Sequence, residues 1–189
     1  MDTLVSQKTY SFEEYWELEQ HSQTRHEFIN GQIIAMPIVT QKHNTITLNF
    51  CLALFAFLKG SDYKVFMESV KLQIESKRDY TYPDICIAAK EGNNNSDLWI
   101  KNPILIVEVL SEGTKLYDKV DKFMRYKQLD SLQYYVLVDT DKVLIDVYSK
   151  DPKTNEWESE SYTQLSESIN FAALSLQIQL QSVYEGVIA

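Results

Sequence analysis

The stretch that most constrains this chain is Pro103 to Leu110, PILIVEVL. A run this apolar, this short and this rich in β-branched residues reads as a buried strand. Yet it carries Glu108, and a buried carboxylate costs several kcal/mol unless something pairs with it. Either that strand end is solvated, or a cation holds the carboxylate.

The chain has 189 residues, 44% of them hydrophobic, enough for one core. The expectation is a single α/β (α+β) domain over residues 1–189, with a mixed β-sheet flanked by helices. No apolar run is long enough to span a bilayer, and the N-terminus lacks the layout of a signal peptide. Cys51 and Cys86 both lie in apolar surroundings and read as two buried free thiols. Together these imply a soluble cytoplasmic protein. The formal net charge of −9 counts against a broadly basic nucleic-acid surface, because phosphate contacts supply most non-specific affinity. Acidic residues gathered in a metal site are compatible with that total.

Ser11-Phe12-Glu13-Glu14 has capping-box form and opens a short helix through about Glu19. Asn30-Gly31 between two apolar runs predicts a hairpin. From Gln41 to Lys59 a stripe of Ile46, Phe50, Ala53, Leu54, Phe57 and Leu58 predicts a helix closed by Gly60. Strands follow at Lys64–Glu75, Tyr82–Ala88 and Pro103–Leu110, with a polar loop, EGNNNSDL, between the last two. Lys115–Gln128 reads as a charged amphipathic helix. Residues 132–140 and 142–150 read as a hairpin around Thr140-Asp141. The tail from Glu156 reads as one more strand and a short helix near Leu180–Glu185.

Side chains two apart on a strand share a face. Ile104, Ile106, Glu108 and Leu110 therefore point one way, and Asp84, Cys86 and Ala88 share a face of the preceding strand. If the two strands pair antiparallel, Asp84 and Glu108 come within ~5 Å at their Cβ atoms. Two bare carboxylates there repel. A Mg²⁺ between them removes the conflict, since it takes one or two carboxylates plus waters and phosphate oxygens.

Tyr82-Pro83-Asp84, then Ile106 to Ser111 (IVEVLS), Tyr117 to Tyr126 (YDKVDKFMRY) and Tyr134 to Asp139 (YYVLVD) resemble, in order and spacing, the Uma-type restriction endonuclease family of the PD-(D/E)XK nuclease superfamily. His26 to Ile33 (HEFINGQI) and the helix bearing His43 also fit, so the resemblance runs from about Phe12 to Tyr184. It implies a restriction-endonuclease-like fold, Asp84 and Glu108 as ligands of Mg²⁺ or Mn²⁺, and Glu27 as a third acidic residue. It implies DNA as substrate, with pairing of two copies suited to a duplex. The superfamily places a lysine two residues after the second acid, where this chain has Leu110. The resemblance suggests Lys122 as its substitute, one helical turn after Asp118, with His43, Asp118 and Tyr126 as accessory groups.

Each residue also has a plainer role open to it. Asp84 can end a turn, and Glu108 can sit at a wet strand end. Asp118 and Lys122 can form a surface pair contributing only ~0.3–0.5 kcal/mol. Glu27 can pair with Arg25 or Lys42, and His43 can cap its helix or pack on the sheet. Two functions from different classes follow: a metal-dependent phosphodiester hydrolase acting on DNA, or a binding or scaffold module that keeps the fold, consistent with Leu110 and the acidic total. A carboxylate-pair glycosidase is disfavoured by the aliphatic surroundings of both acids.

Overall fold

Ser11 starts the first helix by capping it. Its hydroxyl accepts from the Glu14 amide and the Glu14 carboxylate accepts from the Ser11 amide, closing the box that starts α1, Phe12–His21. The computed structural model describes residues 8–111 and 117–188, and for residues 117–119 the backbone alone. After α1 come β1 (His26–Ile29) and β2 (Gln32–Ala35), joined by Asn30 at φ 49° and Gly31 at φ 78°. Positive φ at both central residues makes the twist-compatible two-residue turn for which Asn-Gly is suited.

The helix α2, Gln41–Leu58, starts at Thr40, whose hydroxyl accepts from the His43 amide. It buries Ile46, Phe50, Leu54 and Leu58, four residues apart along one stripe. Phe57, expected in that stripe, is instead 57% exposed, because it falls on the outer side of the helix beside Phe55.

The run expected as one strand over Lys64–Glu75 is two strands, β3 (Tyr63–Met67) and β4 (Lys71–Glu75). Glu68 and Ser69 between them lie at φ 35° and 55°, a left-handed pair that no extended strand can contain. The strand expected over Tyr82–Ala88 begins only at Ile85, as β6 (Ile85–Ala89), and is preceded by an unexpected short strand, β5 (Asp79–Thr81). Pro83 sits in the gap, where its missing N–H costs no ladder bond. Both breaks carry the chain between sheets, and the Glu68 amide donates to the Asp84 carbonyl at 2.9 Å where they meet.

The short β7 (Trp99–Ile100), which the sequence did not signal, precedes β8 (Pro103–Leu110), and all eight residues of β8 are buried. A π-helical turn, Tyr117–Lys122, then runs into the single-turn α3, Phe123–Tyr126, in place of the continuous α-helix expected over Lys115–Gln128. Then follow β9 (Tyr134–Asp139), β10 (Ile145–Lys150) and β11 (Trp157–Tyr162), the first two forming the expected hairpin. The tail adds a hairpin of β12 (Ser168–Phe171) and β13 (Leu176–Gln179) before α4, Leu180–Tyr184.

Two sheets result. The smaller runs β2-β1-β5-β4-β7, and the larger runs β11-β10-β9-β8-β6-β3. In the larger sheet β8 pairs antiparallel with β6 and parallel with β9. The parallel pair requires a crossover, and that crossover carries Lys122 and Tyr126. One face of the larger sheet packs Ile85, Val107 and Val136 against α2, α4 and the last hairpin. Its other face packs Cys86, Ile106 and Leu137 against Tyr126 and against Leu72 and Ile100 of the smaller sheet. A register shift between Ile87 and Ala88 moves Ile104 to the α2 side, away from the face it was expected to share with Ile106. Cys86 is buried as expected, whereas Cys51 is only half-buried, and both are free. This is the mixed, helix-flanked sheet anticipated from the sequence. No helix among the described residues is long and apolar enough to cross a membrane.

Candidate active site

Glu108 points from β8 into the space between the two sheets and is 2% exposed. The Tyr126 hydroxyl donates to its Oε1 at 2.8 Å, and Lys122 Nζ stands 3.2 Å from the same oxygen. Thr81 of β5 lies 3.1 Å from the Tyr126 oxygen. Burial and the Glu108 charge, opposed by Lys122, hold the Tyr126 hydroxyl well above its ordinary pKa, so it remains a donor. Lys122 also reaches Glu27 Oε1 of β1 at 3.3 Å, and the Tyr82 amide donates to that oxygen at 3.3 Å. One buried ammonium therefore links a central strand of the larger sheet to a strand of the smaller one. Lys122 points inward, which removes the plain alternative of a solvated pair with Asp118. The Asp118 side chain lies outside the described residues.

Asp84 precedes β6. The β6–β8 ladder pairs Ile85 with Val107, and extending it by one residue sets Asp84 opposite Glu108. Asp84 Oδ2 accepts from the Val109 amide at 2.7 Å and lies 3.2 Å from His43 Nε2 of α2, while Glu108 is held by Tyr126 and Lys122. Burial lowers the His43 pKa, but the hydrogen bond and charge of Asp84, with help from Glu68 and the Val109 backbone, raise it overall.

A second buried polar cluster adjoins this one. Glu19 of α1 accepts from the Tyr82 hydroxyl at 2.6 Å, meets His26 Nδ1 at 3.1 Å and lies 3.6 Å from Lys71 Nζ. The Lys71 ammonium sits 4.5 Å from the Trp16 ring centroid, 5.0 Å from that of Tyr15 and 5.5 Å from that of Tyr82. Burial lowers the Lys71 pKa against the opposing pull of Glu19. No local sequence pattern signals this cluster. Alternation along Lys71-Leu72-Gln73-Ile74 assigns Lys71 to the polar, solvent-facing side, and only the approach of α1 covers it. Beside the cluster a cleft of about 580 Å³ opens, with Asp84, Lys71 and Arg25 among its walls.

Chemically, the site offers hard oxygen donors at Asp84 and Glu108, a buried ammonium at Lys122 and a phenol that stays protonated. No group of three or more His, Cys, Asp or Glu residues suited to holding a metal occurs among the described residues. Asp84 and Glu108 are oxygen donors of the kind taken by an ion that binds one or two carboxylates and completes its shell with waters and substrate oxygens.

A fold of this kind is also found in a solved structure from Anabaena variabilis. That structure is described as a "putative nuclease belonging to DUF820". It matches 94% of this chain and 99% of its own at 18% identity, with a TM-score of 0.75, which establishes a shared fold. The chain belongs to the Uma2 family, described as "Putative restriction endonuclease", whose pattern it matches over residues 12–181. Two Synechocystis proteins are similar along most of their length. "Uncharacterized protein slr1290" is 31% identical over 175 residues, 93% of this chain and 91% of that protein. "Uncharacterized protein sll1609" is 32% identical over 152 residues, 79% and 86% of the two.

Proposed function

We propose that this chain is a metal-dependent nuclease that hydrolyses phosphodiester bonds in DNA, with Mg²⁺ or Mn²⁺ held by Asp84 and Glu108. The observation that supports it most is Lys122. Leu110, at the superfamily's usual lysine position, is 1% exposed in the core, while Lys122 brings an ammonium to 3.2 Å from Glu108 out of the crossover helix. The family description and the nuclease-like fold agree with that chemistry.

When bound, the ion supplies Lewis-acid charge to the phosphoryl oxygens. The chain's own groups do the rest. The Val109 amide and His43 fix Asp84, and Tyr126 fixes Glu108. Lys122 orients the attacking water or offsets phosphate charge, and Glu27 keeps its ammonium at the site. Asp84, whose side chain is 13% exposed, borders the cleft through which substrate arrives. Such work on DNA belongs in the cytoplasm, in keeping with two free thiols. Two copies would pair through the outward face of α2. Leu48, Leu52 and Phe55 are exposed there, and no Asp, Glu, Lys or Arg occurs between Lys42 and Lys59.

Purified protein with Mg²⁺ or Mn²⁺ should cut labelled DNA, and chelation or Asp84→Asn should stop it. The competing function, a binding or scaffold module, rests on Leu110 and the net charge of −9. It prevails if the wild type cuts neither single-stranded nor duplex DNA and its melting temperature ignores both metals.

A further inference from the structure

The cleft beside Asp84 is about 580 Å³, a size typical of small-ligand pockets. Its walls are divided by chemistry. Val39 and Leu98 line it while 42% and 61% exposed, and Met36 adds to the same apolar lining. Arg25 lines it as a cation, its guanidinium 5.9 Å from the Tyr82 ring centroid. The cleft is also lined by the carboxylates Glu68 and Asp84, but among the described residues none lies within ion-pair distance of Arg25, whereas Lys71, the other cation in the wall, is engaged by Glu19. An uncovered apolar surface next to one available guanidinium suits a ligand with a flat apolar face and an anionic group. A base with its phosphate is such a ligand.

Pairing decides which nucleic acid can use this surface. A base inside a duplex shows only its edges in the grooves. Laying its face on Met36, Val39 and Leu98 requires that it be unpaired. Charge points the same way. Sequence-independent duplex binding depends on many Lys and Arg contacts to phosphate, and a chain with a net charge of −9 is poorly furnished for that.

We propose that the cleft receives one unpaired nucleotide adjoining the scissile phosphate, its base on the Val39–Leu98 wall and its phosphate on Arg25, so that the substrate is single-stranded DNA and not an intact duplex. This rests on the phosphodiesterase function above and narrows it. Asp84 is part of the cleft wall, so a nucleotide seated there presents its neighbouring phosphodiester to the proposed metal site.

The test uses the full chain and one labelled oligodeoxynucleotide, offered single-stranded and as its blunt duplex. Binding is read by fluorescence anisotropy without metal, and cleavage is read with Mn²⁺. Wild type should prefer the single strand, and Leu98→Asp should weaken that binding by roughly ten-fold, the scale of one lost base stack, leaving duplex binding unchanged. Arg25→Ala should weaken it too and lower its salt dependence. Both side chains are exposed, so an unchanged melt verifies that each variant is folded. Equal or tighter duplex binding, no binding of either form, or a Leu98→Asp protein that keeps the preference would overturn the assignment. Duplex cleavage untouched by Leu98→Asp would refute the cleft's role while sparing the nuclease. Tight, Leu98-dependent single-strand binding with no cleavage would do the reverse.

Discussion

Asp84 and Glu108 face each other across one register position yet live under different conditions. Glu108 is sealed between the sheets, held by Tyr126 and sharing an ammonium with Glu27. Asp84 lines the cleft, bound to one backbone amide and to an imidazole whose charge is titratable. The first environment makes a carboxylate part of the fold, because removing its permanent cation strands buried charge. The second leaves a carboxylate available to exchange one partner for another. Two acids of one site can therefore differ in how much of their role is stability and how much is chemistry, and substitutions should separate the two.

The largest effect should come from Lys122→Met. Glu27 and Glu108 would both lose a cation they share at 3.3 and 3.2 Å. Breaking a buried pair from one side typically costs about 3–5 kcal/mol. Denaturant unfolding should show a loss of that size, and adding Glu108→Gln to the same chain should recover part of it, since one stranded charge disappears. A loss below about 1 kcal/mol, the range of exposed pairs, would mean that Lys122 is not the cation that holds the two sheets together here.

Glu108→Gln alone comes next. Glutamine still offers Tyr126 an oxygen, and Lys122 keeps Glu27, so the expected cost is about 1.5–3 kcal/mol, that of a hydrogen bond to a charged group. Tyr126→Phe removes a single hydrogen bond to that carboxylate and should fall at the lower end of the same range, about 1.5 kcal/mol, and both should abolish or sharply reduce cleavage. If Tyr126→Phe destabilises more than Glu108→Gln, the tyrosine is anchoring Thr81 of β5 rather than serving the carboxylate.

How much of this was readable in the chain follows from the physics of each signal. Local devices were legible because neighbouring residues alone determine them. The Ser11–Glu14 box, the Asn30-Gly31 turn, the α2 stripe and the apolar β8 run all have this character. Breaks were not. Nothing local says that Glu68 and Ser69 adopt left-handed backbone, and the split into β3 and β4 is imposed by which sheet each half joins. The contents of the site divide the same way. Glu108 stood out because a charge interrupted an apolar strand, and Lys122 entered only through the family resemblance. The inward turn of Lys122 depends on a π-helical segment that the spacing of Asp118 and Lys122, read as ordinary α-helix, does not announce. The Glu19–Lys71 cluster was invisible because α1, far away in sequence, supplies its cover.

The smallest effect on stability should be the most informative about function. Asp84→Asn keeps an oxygen for the Val109 amide and a group facing His43, at a side chain that is 13% exposed. Its unfolding free energy should change by less than about 1 kcal/mol, near the net value of an ordinary hydrogen bond. Its response to metal should change completely. A ligand that binds only the native state raises stability by mass action, about 2.7 kcal/mol at a hundred-fold excess over Kd. Wild type should therefore melt higher with Mg²⁺ or Mn²⁺, and Asp84→Asn should not. The pair of variants then sorts the two carboxylates: Glu108→Gln loses stability and the metal response together, and Asp84→Asn loses the metal response alone. An Asp84→Asn protein that still melts higher with metal would move the ion away from the cleft. An Asp84→Asn protein as damaged as Glu108→Gln would make both acids structural, and the scaffold function would then fit this chain better than the nuclease.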